Sequence, residues 1–143
     1  MASLIPKAIA WVTEQSELIF RSGVPLNDEQ TAIASSVGVA HPEKIRILEV
    51  DELPIPEDIE LRQAIQTSGL LSPNMSGLTM GHGIYIRHGQ ATTRLLSHEF
   101  RHVYQYEQAG SITAFLSVYL QQVLTVGYQH APLEIDAREH EIL

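Results

Sequence analysis

The segment His98-Glu99-Phe100-Arg101-His102 sets two imidazoles four residues apart with a carboxylate beside the first, a spacing that serves one metal ion only if the chain is helical there. The flanking sequence predicts that helix. Residues 91–108 contain neither Gly nor Pro, carry apolar side chains at Leu95, Leu96, Phe100, Val103 and Tyr104, and are followed by Gly110 as a stop signal. This is the HExxH zinc pattern: each imidazole offers one nitrogen to a tetrahedral Zn²⁺, and Glu99 is placed to act as general base toward a zinc-activated water. The chain has seven His, and a shuffled sequence of this composition produces HExxH roughly 3% of the time, so a third ligand is what turns the pattern into a site.

Residues 131–139 supply one. They read as a further helix, with Pro132 in the first turn, where its missing N–H leaves no hydrogen bond unmade, and acidic residues after it. Glu134 is the first choice as ligand because Glu134, Ala137 and Arg138 share a face, and the small Ala137 allows close approach to the HExxH helix. Asp136, on a different face, is the alternative. Between the two ligand helices, residues 111–126 form an apolar helix ending at Gly127 that carries the chain out and back. Three protein ligands with a fourth position open is the catalytic form of zinc site, and the absence of Cys argues in the same direction.

HExxH, a connecting helix, then Glu-x-x-Ala on a second helix resembles the gluzincin zinc metallopeptidases, in particular the compact single-domain minigluzincins, over about residues 78–143. The resemblance implies a zincin-like fold with His98, His102 and Glu134 as zinc ligands and Glu99 polarising the attacking water. It also implies that the strand nearest the zinc helix, expected at residues 78–87, is an exposed edge to which an extended peptide or protein substrate pairs. The chain departs from the family pattern at Arg138. Gluzincins often carry an acid or amide there to orient a histidine, and a guanidinium cannot accept a hydrogen bond from an imidazole N–H. The same sequence therefore also reads as a catalytically silent binding or regulatory module on a zinc-protease fold. In a third reading the HExxH helix is surface and the protein only an interaction partner.

The other polar candidates divide by position. His41 precedes Pro42 in a loop, His82 and His88 flank the 78–87 strand, and His130 and His140 border the last helix; all read as solvated, with His82 and His130 closest in sequence to the site. An oxyanion-stabilising donor is also required, and Tyr104, Tyr106 and Tyr128 are unranked candidates that serve equally well as packing residues.

At 143 residues, with no repeat or linker, the chain predicts one domain spanning 1–143, large enough to bury its own core without disulfides. Residues 3–21 read as an amphipathic helix closed by Gly23, with Leu4, Ala8, Trp11, Leu18 and Ile19 apolar. A second helix starts at Asn27 with Gln30 completing a capping box, and ends before Gly38. Residues 44–50 alternate as a strand, 57–67 form a short helix closed by Gly69, 71–77 a loop, and 78–87 a strand or tight hairpin bent at Gly81 and Gly83. The expected class is α+β: a small sheet, with an edge strand near the site, packed against the zinc helix and several others. A net charge of −8 with nine scattered Lys and Arg argues against nucleic acid and against a membrane surface. No h-region or spanning stretch is expected, and the absence of Cys fits a reducing compartment, so the expected location is the cytoplasm. The oligomeric state is left open by the sequence.

Overall fold

A computed structural model describes residues 4–143 and is α+β, with six α-helices around a four-stranded mixed sheet. Helix α1 spans Leu4–Ser22, so Ser3, the expected first residue, lies outside the described residues. Its buried stripe is Leu4, Ala8, Val12, Ser16 and Ile19, while Leu18 turns outward. A two-residue strand β1, Val24–Pro25, follows. Its proline is tolerated because β1 is an outer strand of the sheet. Helix α2, Asp28–Ser36, starts as expected: the Asn27 side chain accepts from the Gln30 N–H, and Gln30 reaches back to the Asn27 N–H.

Strand β2 covers Arg46–Val50, two residues shorter than the alternation suggests, because Pro42–Lys44 closes into a 3₁₀ turn. Helix α3, Ile59–Ser68, is capped by Asp58 and so begins two residues later than expected. The 78–87 segment is a hairpin: β3, Gly77–Met80, and β4, Gly83–Arg87, joined by Gly81-His82. Gly81 sits at φ 72°, and a positive φ at the first of two turn residues is what such a connection demands. The hairpin is one of the two forms expected, but the edge position that the resemblance implied for the whole segment is narrowed to one strand. Of its two strands β3 alone is on an edge, since the strand order β1-β2-β4-β3 places β4 inside, parallel to β2 and antiparallel to β3.

The sheet separates two apolar clusters with the period-two logic of its strands. Ile45, Ile47, Ile84 and Ile86 face α2 and the middle of α4 through Ala34, Leu96, Phe100 and Val103. Leu48, Val50 and Tyr85 face α1, α3 and α5. Helix α4 runs Thr93–Ala109 and α5 Ile112–Val126; after a 3₁₀ turn at Tyr128–His130, α6 covers Pro132–Glu139. No single helix among the described residues is long and apolar enough to cross a membrane.

Candidate metal centre

Helix α4 starts where Thr92 accepts from the Leu95 N–H, and one turn further on His98 and His102 project to the same side, their ring centroids 5.0 Å apart. Helix α6 lacks a side-chain cap of its own, and Gln122 of α5 accepts the Leu133 N–H in its place. Pro132 opens α6 and puts Glu134 in its first turn; Ala137 is wholly buried, and α6 packs on α4. Glu134 then lies between the two rings, Oε1 at 3.1 Å from His98 Nε2 and Oε2 at 3.0 Å from His102 Nε2. Among the described residues these three form the one group whose donor atoms, all within 4.8 Å of one another, could hold a metal ion. All three are buried, at 7%, 6% and 2% exposure.

The other nitrogen of each ring is already committed. His98 Nδ1 lies 2.8 Å from Glu141 Oε2, and a carboxylate can only accept, so Nδ1 donates there; Nε2, 3.1 Å from Glu134 Oε1, donates to that carboxylate and is the nitrogen a metal would claim. Arg94 holds Glu141 in turn, Nε to Oε1 at 2.8 Å, and Ser97 Oγ accepts the Ile142 N–H to fasten the tail there. His102 Nδ1 meets Gln105 Oε1 at 2.8 Å. Gln105 spends its amide donors on the Leu133 carbonyl and on Asp136 Oδ2, which fixes the amide's orientation and makes Oε1 the acceptor. Both rings thus spend Nδ1 on an outer acceptor and leave Nε2, turned toward Glu134, as the nitrogen that could ligate a metal on giving up its proton.

The charges agree. Burial works against ionised Glu134, but His102 and His98 outweigh it and hold its carboxyl well below the usual range. Burial likewise disfavours a charged His98, yet Glu134, with Glu99 and Glu141, pushes its pKa up to about 9, and His102 is raised in the same way. The shifts describe two protonated rings around one carboxylate, and the same two imidazole nitrogens and carboxylate oxygen are a donor set that could hold a metal ion in place of those protons.

Glu99 is buried beside the cluster and is no part of it. Thr79 Oγ1 donates to its Oε1 at 2.7 Å, and a Cβ built on Gly77 would lie 3.0 Å from Glu99 Cγ, so a side chain at 77 would press on Glu99 where β3 passes it. Glu99 and Tyr128 line two cavities. An outer cleft of about 230 Å³ includes His98, Arg94 and Gly77, and a smaller apolar cavity of about 60 Å³ reaches inward past His102, Leu78 and Phe115.

The remaining expectations sort themselves by contact. Asp136 lies outside the cluster: Arg101 pairs with it through Nε at 2.8 Å, and it reaches His102 only through Gln105. Arg138 turns away to the Gln129 carbonyl, and the orienting role missing at that position falls to Glu141, beyond the end of α6. Tyr104 lies under the Arg101 guanidinium, and buried Tyr106 donates to the Thr79 carbonyl, which leaves Tyr128 as the half-buried tyrosine that lines both cavities. Burial, then the charges of Glu134 and Glu99, raise the Tyr128 pKa, so its hydroxyl stays protonated as a donor. His82 pairs with Glu107, His41 with Glu43, and His88 with Glu49 and Asp51; His140 bonds the Asp136 carbonyl, and His130 is exposed. None of these joins the cluster. Gln105, three residues from His102, was findable by helical spacing; Glu141, Tyr119 and Thr79 carry no local signal. No known protein family, curated protein or solved structure matches this chain.

Proposed function

We propose that the protein is a zinc-dependent hydrolase of gluzincin type, a peptidase working in the cytoplasm, with His98, His102 and Glu134 as ligands and Glu99 as general base. The observation that carries this reading is the convergence of the two Nε2 atoms on Glu134 while both Nδ1 atoms are committed to Glu141 and Gln105. When bound, zinc supplies the Lewis acidity that lowers the pKa of a water toward about 7 and polarises a carbonyl. Glu99 does the proton work. One of its oxygens is tied to Thr79 and the carboxylate borders the cleft, so it accepts the proton of the attacking water and returns it to the leaving amine. Tyr128, neutral and facing the same cleft, donates to the developing oxyanion. The peptide lies along the β3 edge, where Gly77 brings the strand's backbone against Glu99.

The test is Glu99→Gln. The amide is nearly isosteric and the three ligands remain, so zinc content measured by elemental analysis stays near one per chain, while cleavage of a diverse peptide pool is abolished. Equal cleavage by both proteins would remove Glu99 from the mechanism. Cleavage by neither, with zinc retained, assigns the chain to the catalytically silent binding or regulatory class instead.

A further inference from the structure

Tyr119, on α5, is buried, and its hydroxyl donates to Glu134 Oε2 at 2.7 Å. Its position is not left to that one bond. The Tyr119 ring stacks on Phe115 with centroids 5.3 Å apart, Phe115 stacks on Tyr106 at 3.8 Å, and the Tyr106 hydroxyl bonds the Thr79 carbonyl on β3. The ring also meets His102 edge-on at 6.1 Å. The hydroxyl is the donor in this contact, since a carboxylate can only accept. A carboxylate facing a metal can present one oxygen or both, and a hydroxyl bonded to one of them draws on that oxygen's lone pairs and fixes the plane of the group.

We propose that Tyr119 is a positioning residue: its hydroxyl holds Glu134 Oε2, so that Glu134 meets the metal through Oε1 alone and a coordination position stays open. This rests on the zinc reading above and adds to it a determinant that lies on neither ligand helix. Thr79 holds Glu99 by the same means, one hydroxyl on one oxygen at 2.7 Å, and the aromatic column joins the two anchors.

The test compares wild type, Tyr119→Phe and Tyr106→Phe, each stripped of metal and titrated with Zn²⁺ and, separately, with Co²⁺, whose visible bands are intense when it is four-coordinate and weaken as coordination number rises. Circular dichroism establishes that each variant is folded. Tyr119→Phe is expected to bind zinc about tenfold or more weakly, the usual scale for losing an outer partner of a ligand, and to give weaker cobalt bands. Tyr106→Phe, which breaks the column's far hydrogen bond without touching Glu134, is expected to match wild type in both. Zinc affinity within twofold and a superimposable cobalt spectrum for Tyr119→Phe would overturn the proposal, as would the same change in Tyr106→Phe, which would make the effect one of packing. The wild-type spectrum is a test that needs no variant: weak bands of six-coordinate cobalt would also overturn it. If wild type takes up neither metal, the zinc reading itself fails.

Discussion

Helix α4 carries histidine–glutamate contacts at both ends, and at the level of a single distance they look alike. His98 and His102 lie 3.1 and 3.0 Å from Glu134; His82 lies 3.0 Å from Glu107 in the last turn. The difference is in what else the carboxylate does. Glu107 accepts the Ala40 N–H at 2.7 Å and the His41 N–H at 3.0 Å, so its oxygens are occupied in holding the chain after α2 against α4, and one ring completes the group. Glu134 accepts no backbone N–H through its side chain; it faces two rings whose remaining nitrogens are engaged elsewhere, and Tyr119 fixes its plane. A candidate metal site is therefore recognised by convergent ligand atoms with their outer partners supplied, and an ion pair that staples backbone is a structural latch.

The strongest way to break this comparison is to remove the ligands. His98→Ala, His102→Ala or Glu134→Ala should each lower zinc affinity by more than the roughly 10–100-fold typical of an outer partner, whereas His82→Ala should leave it unchanged. Zinc retained in full by the first three, or lost by the fourth, would erase the distinction; elemental analysis after dialysis reads both.

Outer partners sharpen it. Glu141→Ala should weaken zinc binding by about 10–100-fold with Glu141→Gln intermediate, because the amide oxygen still accepts from His98 Nδ1 without the charge. Asp136→Ala, one step more remote behind Gln105, should lose about tenfold or less on the same scale. An Asp136→Ala defect exceeding that of Glu134→Ala, in competition titrations with a chelating dye, would move the ligand to Asp136.

The smallest effect belongs to the latch. Glu107→Ala should destabilise the protein by about 1 kcal/mol, the net scale of hydrogen bonds that water can partly replace, with zinc affinity untouched. Burial works to raise the Glu107 pKa, but the Ala40 N–H, His82 and the His41 N–H outweigh it and lower the value from that of a free glutamate. A carboxyl lowered in the folded state stabilises above its unfolded pKa of about 4.5 and loses that contribution as pH falls through its folded value. Urea midpoints of wild type and Glu107→Ala should therefore differ at pH 7 and converge on acidification; a gap that widens toward acid would refute the assignment.

Much of the framework was legible because it is written in short-range terms. The Asn27–Gln30 capping box, the Gly- and Pro-free run around HExxH, Pro132 at the start of α6 and the stop at Gly110 each act within about one turn of helix, so residue order suffices to place them. For the same reason two histidines four apart on α4 had to share a face, and Glu134 falls in the first turn of α6 with Ala137 on the same side.

The sequence ranked Glu134 above Asp136 by helical face and close approach, but could not fix that choice. Glu134 and Asp136 are two residues apart, and which one points at the rings depends on the rotation of α6 about its axis, set by its packing on α4 and by Gln122 reaching across from α5. The short β1, the inside position of β4, and the roles of Glu141, Tyr119 and Thr79 are likewise matters of tertiary structure: the contacts span 43 residues from His98 to Glu141, 15 from Tyr119 to Glu134 and 20 from Thr79 to Glu99. Helical periodicity fades over a few turns, whereas a hydrogen bond between distant elements exists only once the core has set their separation. The residues able to bind a metal were written in the chain; their orientation was decided by the fold.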